Sequence, residues 1–268
     1  MVKWKLMLAT MPFVMAAMAG KLFLEHVVHF PGIIDFSDVG IVLNGGVFLI
    51  GFMLAGTLTD FKESERLPAD LACSLEAIEE AFVQAGVGRP AIDVAAGRYA
   101  IFDVTTTLHA WLHKETDKSA HYAALGRLAD ELYILEGKGA GPHATRGLRD
   151  LAALRRTVAR IDVISRTGFI ASGYALLEVV ASGIILLLMI SKFKSVVAEL
   201  IICGFVTLIY VYMIKLIRDI DDPFEYSGNG GAADVNLFPL VEYRSRLENR
   251  IGNHSSTPTA RPITSEAC

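Results

Sequence analysis

Charge is scarce in this chain. Only 20% of its 268 residues are Asp, Glu, Lys or Arg, against about 25% in an average soluble domain. The formal net charge of -4 lies near balance, which removes the electrostatic case for nucleic acid as a partner. Cysteine is scarcer still. Cys73, Cys203 and Cys268 are too few and too widely spaced for a disulfide framework or a zinc site. Cys203 falls inside an apolar stretch, where a thiol behaves as a small hydrophobe. Familiar catalytic signatures are missing too: no Walker loop, no Gly-x-Gly-x-x-Gly ahead of a helix, no His-Glu-x-x-His and no Gly-x-Ser-x-Gly. No segment reads as a strand, and no internal repeat is visible.

Apolar side chains are plentiful, at 53% of residues. They gather in four long stretches, two early and two late, separated by a polar middle. About 20 apolar residues suffice to cross a bilayer, so the pattern predicts an all-α membrane protein with a 2 + 2 arrangement of spans. The expected organisation is a first transmembrane pair over 1–60, a cytosolic helical region over 61–166 and a second pair over 167–218. A post-membrane segment at 219–250 and a disordered tail at 251–268 follow.

The first stretch, 6–34, admits two readings. Lys3 and Lys5 before an apolar run, then Ala17-Met18-Ala19, resemble a cleavable leader. The apolar pattern resumes after Lys21, however, and Lys21 and Glu25 are four apart and able to pair on one face of a spanning helix. The helix is the favoured reading. The second stretch, 39–59, carries no charge and is rich in small residues; Gly51 and Ala55 form a small-xxx-small pair suited to close helix contact. The third, 167–191, holds one acid, Glu178. The fourth, 196–214, follows a very short turn marked by Lys192 and Lys194, which makes the late pair an antiparallel hairpin.

Four crossings put both termini and the middle on one side. Lys3, Lys5, Lys215 and Arg218 at span ends assign that side to the cytoplasm by the positive-inside rule, while Lys192 and Lys194 argue against it. In the middle, Leu71, Leu75, Ile78 and Phe82 recur at helical spacing. Further helices are expected over 91–113, around Tyr122, Leu125, Leu128, Leu132 and Leu135, and from Leu148 to Ile161.

Four features carry candidate chemistry. His109 and His113, and separately His26 and His29, have spacings that could ligate a metal, though ordinary hydrogen-bonded histidines account for them better. Glu178 is an acid inside a span; it either lines a water-filled path or pairs with a neighbouring helix. Asn44, Phe48 and Phe52 lie at intervals of four, on one helix face. Copies around an axis would stack an amide ring and two aromatic rings, as in a pore; plain helix packing is the competing reading. Finally, Asp219, Asp221, Asp222 and Glu225 crowd the end of the fourth stretch beside Pro223. Such oxygen-rich clusters could hold a hard cation such as calcium.

Asp221-Asp222-Pro223-Phe224, followed by Asp234-Val235-Asn236-Leu237, resembles the acidic–Pro–Phe segment and trailing Asp-x-x-Leu of bestrophins. The second span with Gly51-Phe52, then Glu65-Arg66-Leu67-Pro68, is similar to the bestrophin pore helix and the Leu-Pro after it. The resemblance covers about residues 5–245. It implies a homo-oligomer, a pentamer, conducting small anions such as chloride through a central pore lined by the second span. It carries the pore neck onto Asn44, Phe48 and Phe52. Two departures stand out: Asn44 is an amide where the family's neck is apolar, and Thr59-Asp60-Phe61-Lys62 replaces the usual arginine and tryptophans. The alternative is a non-conducting membrane scaffold or assembly protein whose helical middle binds a partner. An enzyme ranks last: it would need paired acids or a metal cluster at membrane depth, and the third span offers only Glu178.

Overall fold

In a computed structural model, the chain is described over residues 4–30, 32–167, 171–226 and 233–255. In chain order these form α1 (Lys5–His26), β1 (Ile34–Asp35), α2 (Phe36–Ser64), α3 (Leu67–Gly86), α4 (Val94–Leu112) and α5 (Lys118–Gly137). They continue as α6 (Gly141–Ile164), α7 (Ala171–Ile190), β2 (Ser191–Lys192), α8 (Val196–Asp221) and α9 (Phe238–Ser255). The helices at the four apolar stretches, α1, α2, α7 and α8, are long and apolar enough to cross a membrane. The protein is an integral membrane protein of all-helical class. The two strands, which sequence patterning did not reveal, are a two-residue parallel pairing of Ile34 with Ser191 and Asp35 with Lys192.

The chain divides into two compact units. One holds α1, β1, α2, α7, β2 and α8; the other holds α3, α4, α5, nearly all of α6, and α9.

In the first unit, α8 contacts α1, α2 and α7. α2 buries Val39, Gly46, Ile50, Met53 and Thr57, a spacing that keeps one helix face turned inward. Ile50 and Met53 join Leu177, Ala181, Ile184 and Leu188 of α7 and Tyr210 and Ile217 of α8 in one apolar cluster. Gly46 is the point of closest approach. A Cβ there would lie 2.3 Å from Tyr210 Oη and 2.5 Å from Ile184 Cδ1. Tyr210 completes the contact by donating its hydroxyl to the Leu43 carbonyl at 2.9 Å. The expected small-residue contact is thus displaced: Gly51 and Ala55 are exposed, and nothing lies within 4 Å of a Cβ built on Gly51.

α1 runs unbroken through Met18-Ala19-Gly20 despite Pro12. Pro12 cannot donate to Leu8 O, and Lys215 of α8 donates to the adjoining Ala9 carbonyl at 2.5 Å. Lys21 does not take Glu25 as its ion-pair partner. It reaches across to Glu199 of α8 at 3.2 Å instead, because the bundle brings that acid to the same buried spot. The late hairpin turns within Ser191–Ser195, and Ser195 Oγ accepts from Ala198 N to cap α8. Gly32 meets the turn with φ +77°, and a Cβ there would lie 2.9 Å from Lys192 N, so glycine answers two demands at once.

The second unit has the core that the apolar spacing predicts. Leu71, Leu75, Ile78 and Phe82 of α3 and Leu125, Leu128, Leu132 and Leu135 of α5 are all buried. Tyr122 is the exception in that series, at 42% exposure. Asp93 caps α4, accepting from Ala95 N and Ala96 N; Asp117 caps α5 through Ser119 N. Each satisfies donors that the first helical turn leaves open. α9 is an addition. It occupies the later part of the post-membrane segment expected over 219–250, where Leu240, Tyr243 and Leu247 are buried, and α9 contacts α3 and α4. It also extends past the boundary expected for the tail; residues 256–268 of that tail lie outside the described residues.

A buried carboxylate ties α9 in place. Glu79 of α3 is 1% exposed, with Arg98 Nε at 2.9 Å and Arg250 Nη1 at 3.0 Å, and it accepts from the Tyr243 hydroxyl at 3.2 Å. The tyrosine hydroxyl's own titration is pushed well up by burial and by Glu79. Removing one partner of a buried pair strands the others. Glu79→Ala is expected to lower stability by about 3–5 kcal/mol, read in the thermal unfolding midpoint. Glu80→Ala, which removes an exposed pair with Arg146, should change stability by less than about 1 kcal/mol.

Candidate functional site

The packing of α2 decides which of its side chains are left over. With Gly46, Ile50, Met53 and Thr57 facing α7 and α8, the opposite face carries Ile41, Asn44, Phe48, Phe52, Ala55, Thr59 and Lys62, all exposed. Phe48 is 77% exposed and Phe52 71%. The three candidate neck residues therefore share one open face. Asn44 lies about 12 Å from Phe52 along the helix at about 1.5 Å per residue. Among the described residues its carboxamide has no side-chain partner.

The end of α8 builds a second, charged locality. Glu178 of α7 pairs with Arg218, whose guanidinium also lies 5.7 Å over the Tyr174 ring. Glu178 thus has a partner on the neighbouring helix, as one of its two expected readings requires. Lys215 sits 4.7 Å over the Phe13 ring. A cavity of about 290 Å³ is lined by Leu6, Lys215, Arg218, Asp219, Asp222, Glu225 and Asp234. The acidic–Pro–Phe segment is tucked in: Phe224 is buried, and the Pro223 carbonyl accepts from Val235 N at 2.9 Å. Tyr226 donates to Val235 O at 2.6 Å, and burial with Asp234 nearby raises its titration. Among the described residues, no three of His, Cys, Asp and Glu are arranged to hold a metal ion, the four acids of 219–225 included.

No family model matches the chain, and no curated protein matches it. Solved structures do. A point variant of a bacterial bestrophin homolog from Klebsiella pneumoniae superposes with TM-score 0.74 at 11% identity, over 92% of this chain and 99% of that one. Another structure of that homolog gives TM-score 0.71 at 13% identity, over 94% and 99%. The chain has the bestrophin fold.

His109 and His113 stack with ring centroids 4.1 Å apart, and His113 Nδ1 lies 2.9 Å from the His109 carbonyl. Burial, with His113 and Arg244 close by, holds His109 below the ordinary histidine value. Sequence reading passed over two groups. Glu199 is a further acid within a span, and His121 is fully buried beside Trp111. Glu199 carried the same signal as Glu178, an acid inside an apolar stretch; His121 had none, since its burial is set by tertiary packing.

Burial lowers the His121 pKa from 6.5 to about 4. The unfolded chain therefore binds the proton first as pH falls, and the stability present above pH 6.5 is lost toward pH 4. About 2 kcal/mol should disappear between pH 7 and pH 5; His121→Phe should flatten that part of the unfolding profile. Separately, Gly46→Ala is expected to cost about 1–3 kcal/mol by overpacking against Tyr210 and Ile184. Gly51→Ala, in open space, should be close to neutral in the same unfolding measurement.

Proposed function

We propose that the chain is one subunit of an oligomeric ion channel, a pentamer, that conducts small anions such as chloride through a central pore lined by α2. The observation that carries this reading is Asn44. An amide exposed at membrane depth is costly against lipid and is matched by water or by like groups around an axis. Phe48 and Phe52 follow it on the same face, one and two turns on, and stacked aromatic rings of this kind gate by dewetting. The bestrophin fold supports the reading, as does the resemblance of the acidic–Pro–Phe exit. Both termini then lie in the cytoplasm, with Lys215 and Arg218 at the cytoplasmic end of α8. Calcium is the cation proposed for the cavity lined by Asp219, Asp222 and Glu225, with Asp221 next to Asp222 in the chain.

Reconstitution into planar bilayers tests this. Unitary currents should reverse near the chloride equilibrium potential. Phe48→Ala and Phe52→Ala should raise open probability or conductance severalfold, and Asn44→Leu should lower conductance. A well-assembled oligomer that passes no current across voltage and calcium would favour the scaffold alternative. Reversal at the cation potential would keep the pore and remove anion selectivity.

A further inference from the structure

α1 and α8 meet at a buried group of titratable side chains that the α2 face does not involve. Lys21 is 6% exposed and Glu199 4%. Besides its 3.2 Å pair with Glu199, the Lys21 ammonium donates to Met189 O at 3.0 Å and to Ser191 O at 2.7 Å. These three contacts use all its N–H groups, and the Phe193 ring closes one side with its centroid 5.4 Å away. Glu25 lies one turn further along α1, on the helix face that carries Lys21 to Glu199. Its Oε2 is buried and has no partner among the described residues. α8 adds Cys203 and Thr207, both buried, at four-residue intervals after Glu199. The facing charged and titratable groups are therefore Lys21 and Glu25 from α1 and Glu199 and Cys203 from α8; the α7–α8 link contributes main-chain carbonyls.

One ammonium faces two carboxyls, and it has no N–H left for Glu25. Two carboxylates beside one ammonium and away from bulk water cannot both stay ionised without a large repulsion. We propose that Glu25 and Glu199 hold one proton between them, which makes the α1–α8 contact a proton-binding site. With that proton the cluster is neutral: one ammonium balances one carboxylate, and the protonated carboxyl donates to its neighbour. Loss of the proton to solvent, through the partly exposed Glu25, leaves one net negative charge and turns a donated bond into repulsion. Alkaline pH therefore loosens α1 from α8, and acid does not.

Infrared spectroscopy of the full chain in lipid vesicles tests the site without relying on ion conduction. At pH 7 the wild type should show one protonated-carboxyl stretch that shifts with isotope-labelled glutamate and disappears on alkaline titration. Glu25→Gln and Glu199→Gln should each abolish it, because one remaining carboxylate is neutralised by Lys21. Absence of the band from the wild type, or its survival in both variants, overturns the proposal. If the variants do not assemble, a wild-type band that ignores glutamate labelling overturns it equally, whatever currents the protein passes.

Discussion

The close approach of α2 to α7 and α8 at Gly46 governs which face of α2 the membrane unit leaves open. A helix turns 100° per residue, so fixing one contact fixes the heading of every other side chain. Tyr210 reaches the Leu43 carbonyl through the gap that the missing Cβ leaves. That hydroxyl bond and the apolar contacts of Ile50 and Met53 set the rotation of α2 about its own axis. Asn44, Phe48 and Phe52 occupy the open face as a result. The stripe is a remainder of packing as much as a feature of its own residues.

The polar groups of the membrane unit show the same economy. Lys21, Lys215 and Arg218 each join a pair of helices: α1 to α8 through Glu199, α8 to α1 through the Ala9 carbonyl, and α8 to α7 through Glu178. α8 is the common member of all three. Dispersion and specific polar contacts hold spanning helices together, since lipid offers little hydrophobic drive between them. Placing these contacts on one central helix lets the two early helices and α7 share a single scaffold.

The spans and most helices of the second unit were legible in the sequence because hydrophobic periodicity is local. Leu71, Leu75, Ile78 and Phe82 announce a buried face without reference to anything distant. Other features needed the third dimension. Lys21 sits four residues from Glu25 but pairs with Glu199, and only the docking of α1 on α8 chooses between them. Gly46, Gly51 and Ala55 look alike as small residues in an apolar helix, yet one lies at a crossing and two face outward. α9 was missed because its buried residues, Leu240, Tyr243 and Leu247, stand among arginines and glutamates that suggest solvent on all sides. Several of those charges are used: Arg246 approaches Glu76 at 3.5 Å, and Arg250 reaches Glu79.

The return of α9 to α3 and α4 has a consequence for biogenesis. Domains tend to fold as units while the chain is being made, but this helical unit lacks one wall until α8 has left the ribosome. Its apolar seam along Leu75 and Glu79 must wait, covered or transiently open, while the late hairpin is inserted. Arg250 and Tyr243 then arrive together and neutralise the buried acid. Completion of the water-exposed part is thereby made to follow completion of the membrane part, an order of assembly written into the chain's connectivity.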